Sequence, residues 1–467
     1  MLRGPEVPSG AEVRFLKFLN GLCEEKPALR IYILAWDFHL VFAHEREWMQ
    51  RVLFHWMTNP RLRFQFHNTP LAGSSHHQKF VVVDGALTFV GGIDLCEARW
   101  DDRYHRADNP WRVSRGAPVK PYHDVQAYLV GVDPARRLQA LFVERWTSSA
   151  GAPPEGLAPL PATPAGSTRR PSNHSGTPLP GAGAMSFGAG PIALSRTDPR
   201  ANGATLREVE HLFVDALDAA QHLIYIETQY FSSRRIQQAL LARMRAPGRP
   251  PLQIVVIVNE RAEALKEELA VGLRQAEIVE HLRRAARDTG HALGFYYSAC
   301  DGSSEAFRAT YIHSKLMIVD DRFLTVGSAN LTNRSMALDS ELHVSWEAVG
   351  TAPADRRLRR AIRRLRVSLL AEHSGLAGLG IRPLVRVAAL VARLDALASR
   401  PPARLQPLSP PTATQRAVME LVEPQELPFD SEIPEGPGPS ARDEPDDQLP
   451  PRPRTILGRL MTALRRR

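Results

Sequence analysis

The chain has 467 residues, of which 43% are hydrophobic and 23% charged, as in ordinary globular proteins. Lysine and arginine number 59 against 50 acidic residues, so the net charge of +9 favours anionic partners such as phospholipid surfaces, nucleic acid or phosphate esters. The three cysteines form neither a metal-binding spacing nor a disulfide framework, and no apolar run predicts a transmembrane helix. Residues 1–12 lack the apolar region of a signal peptide, so we expect a cytoplasmic protein.

Helical patterns alternate with short apolar strands in two parts of the chain, which predicts an α/β fold. In the first part, a helix over 15–23 precedes a strand over 29–33. The second part contains a longer series of alternating helices and strands, over residues 206–221, 223–227, 235–245, 253–258 and 266–287.

The first part aligns with the second only from the helix at 235–245 onward. Its strand at 29–33 matches residues 252–256, and both follow a turn that contains proline. Nothing in the first part matches the helix at 206–221 or the strand at 223–227. We therefore expect the first part to lack one helix and one strand, either because the sequence continues upstream of Met1 or because this part is a shortened variant.

Two proline-rich segments divide the chain, since their composition resists formation of a core. The predicted units are an N-terminal lobe (13–146), a Pro/Gly/Ser-rich linker (147–192), a C-terminal lobe (193–376), a helical extension (377–399), a disordered Pro-rich acidic linker (400–454) and a basic amphipathic tail (455–467). In the tail, Ile456, Leu460, Ala463 and Leu464 fall on one helical face beside arginines, which predicts either membrane attachment or an unstructured basic end.

One pattern, His-x-Lys-x-x-x-x-Asp, occurs twice. The first copy consists of His77, Lys79 and Asp84, and the second of His313, Lys315 and Asp320. Each copy enters an apolar stretch, and a second apolar run follows that ends on a small pair, Gly91-Gly92 or Gly327-Ser328. Two copies in matching strand–turn–strand contexts indicate the two halves of one active site.

Phosphodiester chemistry explains why such a site needs these residue types. A phosphodiester is anionic and repels hydroxide, so its cleavage requires fixed cations and a nucleophile that is not itself anionic. Neutral imidazole can attack phosphorus, and a second, protonated imidazole can give a proton to the leaving oxygen. Positions i and i+2 of a strand share a face, so His77 and Lys79, like His313 and Lys315, should point into one cavity where the lysines bind phosphate.

Further candidates surround the two motifs. The small residues Gly91 and Gly92 would let the backbone approach the phosphate. Ser328 and Asn330 would add hydrogen-bond donors at the corresponding place after the second motif.

Carboxylates complete the set of candidates. Asp84 and Asp320 stand at an odd offset from the lysines, at the predicted hairpin turns, so we interpret them as structural. Each histidine also needs an orienting carboxylate to fix its tautomer. The candidates are Asp101 in the first half and Glu341 or Asp339 in the second half.

The paired motifs resemble the phospholipase D superfamily, above all the bacterial branch with phospholipase D and cardiolipin synthase-like enzymes. Further stretches carry the resemblance: Arg99-Trp100-Asp101, His123-Asp124-Val125-Gln126, residues 224–231 and Ala371-Glu372-His373. The resemblance covers most of 13–376. It implies two α/β lobes of mixed sheets flanked by helices, related by pseudo-two-fold symmetry, with the site at their seam. It also implies no metal or other cofactor, a phosphohistidine on His77, and His313 as acid and base.

The sequence departs from the family pattern in two respects. The family's first strand, which ends in a Trp-Asp-type motif, has no counterpart here, and Trp36-Asp37 matches a second, similar motif. In addition, Asp94 stands where the first half of the family often carries Asn.

The function implied by the resemblance is that of a phosphodiesterase or phosphatidyltransferase acting on anionic or zwitterionic glycerophospholipids, peripheral at the inner membrane face. Cardiolipin synthase-type transfer and a nuclease of the same superfamily share this chemistry and stay open as alternatives. An inactive lipid-binding relic is the non-enzymatic alternative. The stretch at 224–231 and the basic tail favour lipid over nucleic acid.

Overall fold

The computed structural model describes residues 15–36, 58–67, 73–95, 98–114, 116–157, 184–188, 190–199, 205–261, 271–300 and 309–410, with residues 430, 455, 456 and 458. Helices flank the sheets throughout these ranges, so the predicted α/β fold class is confirmed. Among these residues, no helix has the length and apolar character needed to cross a membrane.

The first half contains two helices and eight strands among its described residues. They are α1 (Phe15–Glu25), β1 (Ile31–Trp36), β2 (Leu62–His67), β3 (Phe80–Val83), β4 (Leu87–Gly91), β5 (Val113–Ser114), β6 (Ala117–Pro118), β7 (Tyr122–His123), β8 (Gln126–Val130) and α2 (Val132–Ala150). Strands β1 and β2 form a parallel pair, and β3, β4 and β8 form an antiparallel sheet of three.

The second half is built on one large sheet. Its strands are β9 (Ala193–Asp198), β10 (Leu206–Arg207), β11 (Leu223–Glu227), β12 (Gln253–Ile257), β13 (Ala292–Ser298), β14 (Tyr311–Ile312), β15 (Leu316–Val319), β16 (Phe323–Gly327), β17 (Glu341–Glu347) and β18 (Leu405–Pro407). All except β14 belong to a nine-stranded sheet with the order β10-β9-β17-β16-β15-β11-β12-β13-β18. It is parallel across β11, β12 and β13 and antiparallel elsewhere.

Helices cover both faces of this sheet. They are α3 (Glu208–Ala219), α4 (Arg234–Arg245), α5 (Leu273–Thr289), α6 (Asn333–Ala337), α7 (Pro353–Ser374), a 3₁₀ turn (Gly378–Ile381), α8 (Arg382–Val385) and α9 (Leu390–Ala398). Alternate residues of each central strand enter one of two cores, as the two-residue period of a strand requires. Helices α3, α4 and α5 close the first core, whereas α7 and α9 close the second together with the first-half residues Val90, Leu129 and Leu138. The two halves therefore share a hydrophobic core.

The predicted linkers and tail need correction at three points. Helix α2 runs to Ala150, beyond the predicted lobe boundary at 146. Residues 405–407, placed in the disordered linker, form β18, which pairs with β13 and is the edge strand of the large sheet. Ile456, assigned to a membrane-facing helical face, is fully buried and belongs to the first hydrophobic core. Leu460, Ala463 and Leu464 lie outside the described residues.

The equivalent strands of the two halves, β3 and β15, differ in their exposure to solvent. Val81 and Val83 of β3 are 44% and 37% exposed, whereas Met317 and Val319, at the same positions after the second motif, are fully buried. Strand β11 pairs with β15 and α3 packs in the same core, but within the described ranges no strand pairs with the corresponding edge of β3. The predicted lack of one helix and one strand in the first half would produce this exposure of β3. The pseudo-two-fold symmetry of the two halves stays a prediction.

This difference in burial predicts unequal effects of a single change at equivalent positions. Val319→Asp should lower the free energy of unfolding by about 3 kcal/mol or more, because a charge without a partner would enter the core. Val83→Asp should lower it by less than about 1 kcal/mol, since this side chain reaches solvent. Urea denaturation followed by circular dichroism would measure both, and equal losses would show that the β3 face is covered in solution.

Candidate active site

The two motif histidines are each held through the backbone by the opposite half of the chain. The His77 amide donates to the Ser340 carbonyl at 3.0 Å, and the His313 amide donates to the His123 carbonyl at 2.8 Å. Strand β14, which precedes the second motif, pairs in parallel with β7, and His76 forms a bridge with Ser340. Both motifs therefore lie where the two halves meet.

Each motif histidine also has a carboxylate partner from the opposite half. Nδ1 of His77 lies 3.0 Å from both carboxylate oxygens of Glu341, and Nδ1 of His313 lies 2.8 Å from Oδ2 of Asp124. An imidazole that donates its Nδ1–H to a carboxylate presents Nε2 as the nitrogen for reaction. The arrangement thus leaves two Nε2 atoms to attack phosphorus or to carry a proton.

The carboxylates that orient the motif histidines are Glu341, one of the three candidates, and Asp124, which was not a candidate. Each binds the histidine of the opposite half. Glu341 does bind a motif histidine, but it is the histidine of the first half. Asp101 instead pairs with Arg112 at 2.8 Å, and Asp339 pairs with Arg334 at 2.7 Å. Both are occupied in ion pairs and do not orient a motif histidine.

Asp124 is the site residue that sequence reasoning missed. It stands two residues before the residue that pairs with Gly91, and Glu341 stands two residues before the residue that pairs with Gly327. The same offset from the glycine at the end of the preceding strand is a signal that could have identified both carboxylates together.

The two motif lysines are fixed beside their histidines. Nζ of each donates to the carbonyl of its own motif histidine, at 2.9 Å for Lys79 and 2.5 Å for Lys315. Lys79 also pairs with Asp94 at 3.3 Å, and Lys315 donates to Oε1 of Gln229 at 3.0 Å. Asp94, the residue that departs from the family pattern, therefore partly neutralises one of the two motif cations.

The glycine pair after the first motif permits close packing of the halves. A Cβ atom on Gly92 would lie 2.9 Å from Cδ of Lys315, so only a glycine leaves room for that lysine without a shift. A Cβ on Gly91 would lie 2.6 Å from Cγ of Gln126 on the neighbouring strand. The structure thus gives both glycines a packing role, whereas phosphate binding by their backbone stays a prediction.

Ser328 and Asn330 contact other site residues. Ser328 Oγ donates to Oε2 of Glu341 at 2.5 Å, so its hydroxyl is already used to hold the carboxylate. Asn330 donates to Oε1 of Gln229 at 3.4 Å, the same oxygen that binds Lys315. Ser328 therefore supports the partner of His77 instead of donating to a phosphate.

The motif aspartates lie in the hairpin turns, as interpreted. Asp84 and Asp320 adopt positive φ angles of 49° and 53°. The Asp320 carboxylate accepts three backbone N–H groups, from residues 221, 222 and 223, at 2.8, 2.7 and 2.9 Å. Asp320 thus fixes the start of β11 and points away from the histidine of its motif.

Burial disfavours the charged forms of both Glu341 and Lys315, but neighbouring groups oppose it to different extents. Burial alone would raise the pKa of the Glu341 carboxyl, but His77, Lys79 and the Ser328 hydroxyl outweigh it and hold the pKa at about 2. Burial lowers the pKa of the Lys315 amine to about 7, with Asp124 opposing the shift. Glu341 is therefore ionised at neutral pH, whereas Lys315 is poised between its charged and neutral forms.

The second histidine–carboxylate pair lies in a drier environment. Burial, together with the charges of Lys315 and Arg99, holds the pKa of His313 well below its ordinary value. Burial also raises the pKa of its partner Asp124 to about 7. A bound phosphate would screen the neighbouring cations, so we expect His313 to gain a proton more easily when an anionic substrate is present.

A buried network of histidines and carboxylates lies beneath this pair. His123 bridges two acids, with Nε2 at 2.8 Å from Glu227 and Nδ1 at 3.0 Å from Glu372. Burial would lower the pKa of His123, but the two carboxylates raise it to about 10, so the ring is a cation. His373 and His105 bind the same acids at 3.2 and 3.1 Å. The network thus gives a structural role to Glu227 in the stretch 224–231 and to Glu372 and His373 in the stretch 371–373, both remote from the motifs.

The same network has ligand atoms close enough to hold a metal ion in two ways, as His105, His123 and Glu372 or as His123, Glu227 and His373. Both ways use His123, whose cationic form cannot coordinate a metal. Metal binding at either set would have to displace the proton that the two carboxylates stabilise on His123.

This geometry defines a class of α/β protein. Its site has two histidines, each bonded to a carboxylate of the opposite half, and a lysine beside each histidine. Residues 213–360 match the family model described as a cardiolipin synthase, phospholipase D-like domain. This match and the relatives described below support the phospholipase D superfamily.

Two curated relatives illustrate the similarity. Phospholipase D alpha 1 of Vigna unguiculata is 24% identical over 65% of this chain and 49% of its own length, and phospholipase D1 of Saccharomyces cerevisiae is 26% identical over 58% and 20%. The chain thus spans about half the length of the first relative and about a fifth of the second. The solved structure of phosphatidylserine synthase from Haemophilus influenzae aligns over 81% of this chain and 84% of its own, with 16% identity and a TM-score of 0.45.

The lowered pKa of Lys315 predicts that anion binding weakens as the pH rises. Lys315 is charged below pH 7 and loses its proton above it, so the affinity for sulfate should fall between about pH 6 and pH 8. Sulfate keeps its charge over this range, and isothermal titration calorimetry would report the change. In Lys315→Arg, which stays charged, the pH dependence should shrink to the part that Asp124 contributes, since its pKa is also about 7; an unchanged dependence would assign all of it to another group.

Proposed function

We propose that the protein is a phospholipase D-type phosphodiesterase that transfers a phosphatidyl group from a glycerophospholipid to water or to an alcohol. The observation that carries the proposal is the pair of motif histidines, each with Nδ1 bonded to a carboxylate of the opposite half and with a lysine two positions on. This arrangement supplies two imidazoles with directed Nε2 atoms and two cations for the phosphate oxygens.

The first step forms a covalent intermediate. Nε2 of His77 attacks phosphorus, a P–N bond forms, and the P–O bond to the headgroup breaks. The departing oxygen takes a proton from His313, so the headgroup leaves with a hydroxyl instead of an alkoxide, and His313 becomes a neutral imidazole. Lys79 and Lys315 neutralise charge on the non-bridging oxygens while the bonds change.

The second step reverses the first with a new alcohol or water. The incoming hydroxyl gives its proton to Nε2 of His313 while its oxygen attacks phosphorus, and the P–N bond to His77 breaks. Water yields phosphatidic acid, whereas an alcohol yields a new phosphatidyl ester. Neither step needs a metal, because the cations and the proton carriers are side chains of the chain itself.

The order of roles is the one that the family resemblance implies. The ionised Glu341 stabilises the positive charge that develops on His77 when Nε2 bonds to phosphorus. The cations that hold the pKa of His313 low include Lys315 and Arg99, and a bound phosphate would offset their effect. His313 would therefore acquire the proton it must donate when the substrate binds.

The relatives support lipid as the substrate. Those we compared carry the name phospholipase D. A phospholipid substrate implies contact with a membrane surface, which we propose lies on the cytoplasmic side. The net charge of +9 would favour an anionic bilayer.

Turnover of phospholipid vesicles tests the proposal directly. With EDTA and ethanol present, phosphatidylcholine and phosphatidylglycerol should yield phosphatidic acid and phosphatidylethanol, and His77→Ala should abolish both products. His313→Ala should also lose lipid turnover but retain part of its activity toward a p-nitrophenyl phosphodiester, whose leaving group needs no proton. Mass spectrometry and release of p-nitrophenolate would report the products. Cleavage of plasmid DNA without any lipid product would contradict the proposal.

The cross-half pairs predict that two conservative changes far apart in sequence act alike. Glu341→Gln and Asp124→Asn should each lower kcat by about 10²–10⁴-fold, because an amide does not hold the imidazole tautomer or stabilise its charge. Glu280→Gln is the control, since this side chain on α5 is 45% exposed and pairs with Arg284 of the same helix. Steady-state kinetics with short-chain phosphatidylcholine would measure kcat, and full activity of either variant would remove its carboxylate from the mechanism.

A further inference from the structure

Two tyrosines beside His313 each carry a cation over the ring. The ring centroids of Tyr122 and Tyr311 lie 5.3 and 6.4 Å from that of His313. The guanidinium of Arg99 lies 4.9 Å from the Tyr122 centroid, and Nζ of Lys120 lies 3.7 Å from the Tyr311 centroid. We call these four residues, Arg99, Lys120, Tyr122 and Tyr311, the cation ledge.

The cation ledge is held firmly by the elements around it. Tyr122 and Tyr311 are 5% and 6% exposed and pair across the parallel strands β7 and β14. Nε2 of Gln229 donates to the Tyr311 hydroxyl at 2.7 Å, and Arg99 donates to the Tyr122 hydroxyl. The two cations therefore lie over tyrosine rings that are held in place beside the second histidine, and such preorganisation favours binding.

Neither cation takes part in the proposed chemistry. The phosphate that reacts is held by Lys79 and Lys315, which belong to the two motifs. Arg99 nevertheless lies close enough to the reacting groups to help lower the pKa of His313 and that of Asp94. The ledge thus adds positive charge on the side of the site where His313 exchanges protons.

We propose that Arg99 and Lys120 form a subsite for a second phosphate, carried by the alcohol that leaves or attacks. The proposal rests on the proposed function, in which His313 gives a proton to the leaving oxygen and takes one from the incoming hydroxyl. A group bound next to His313 therefore belongs to the alcohol, and both alcohols use the same place because the second step reverses the first. Arginine and lysine bind phosphate oxygens through charge-assisted hydrogen bonds, which a neutral alcohol cannot form.

The test compares two acceptors that differ only by a phosphate. With monodisperse dihexanoylphosphatidylcholine as donor, transfer to glycerol and to glycerol 3-phosphate gives products that mass spectrometry separates. The wild type should favour glycerol 3-phosphate, and Arg99→Gln should lower the ratio of the two rates by about tenfold or more, with a smaller decrease in Lys120→Gln. Because the ratio compares two acceptors in one preparation, a partly unfolded variant does not alter it.

Arg106→Gln is the matched control. Its guanidinium also lies over a tyrosine, 5.1 Å from the ring centroid of Tyr104, but that ring is 64% exposed and belongs to the outer surface. The ratio of the two rates should be unchanged in this variant. Equal rates for the two acceptors in the wild type, or an Arg99→Gln variant that slows both equally, would overturn the subsite.

Failure of the proposed function gives a different result. If the wild type transfers nothing from dihexanoylphosphatidylcholine, the function is wrong, and calorimetric binding of glycerol 3-phosphate then tests the subsite by itself. Weaker binding to Arg99→Gln than to Arg106→Gln would support it, whereas equal binding would overturn it.

Discussion

The site depends on the pairing of each motif histidine with a carboxylate from the opposite half. Glu341 is fully buried, so its charge is tolerated only while His77 and Lys79 lie against it. A buried carboxylate that loses its partner costs several kcal/mol, which is more than most single contacts contribute. Docking of the halves and assembly of the site are therefore one event, because neither half alone contains a motif histidine together with its carboxylate.

The buried ion network fixes the position of the segment that contains Asp124. His123 is adjacent in sequence, lies between Glu227 and Glu372, and accepts the backbone N–H of His313 through its carbonyl. One residue thus fixes the position of the second histidine and that of its carboxylate partner. The glutamates come from the end of β11 and the end of α7, so the large sheet and its longest helix set the geometry of the second site.

The two halves contribute unequally to the environment of the site. The side chain of His77 is 27% exposed and that of Lys79 is 12%, whereas the side chains of His313 and Asp124 are 4% and 5% exposed. The nine-stranded sheet buries the second motif on both faces, but the first motif leads into a three-stranded sheet with an open face. The site therefore opens toward His77, the histidine assigned to attack phosphorus.

The sequence by itself determined the fold class, the paired motifs and the chemistry they suit. These follow from local rules: the strand 223–227 appears as predicted because a short apolar run needs no distant partner to be recognised. The odd offset of Asp320 likewise placed it at a turn, away from the phosphate.

Tertiary structure alone decided which carboxylate serves which histidine. Asp124 lies 189 residues from His313 in sequence, and Glu341 lies 264 residues from His77. The sequence offered Glu341 only for the second half and did not single out Asp124. In the structure each of these carboxylates binds the motif histidine of the opposite half. Such pairing depends on how two folded units dock, and no periodicity or motif spacing records that geometry.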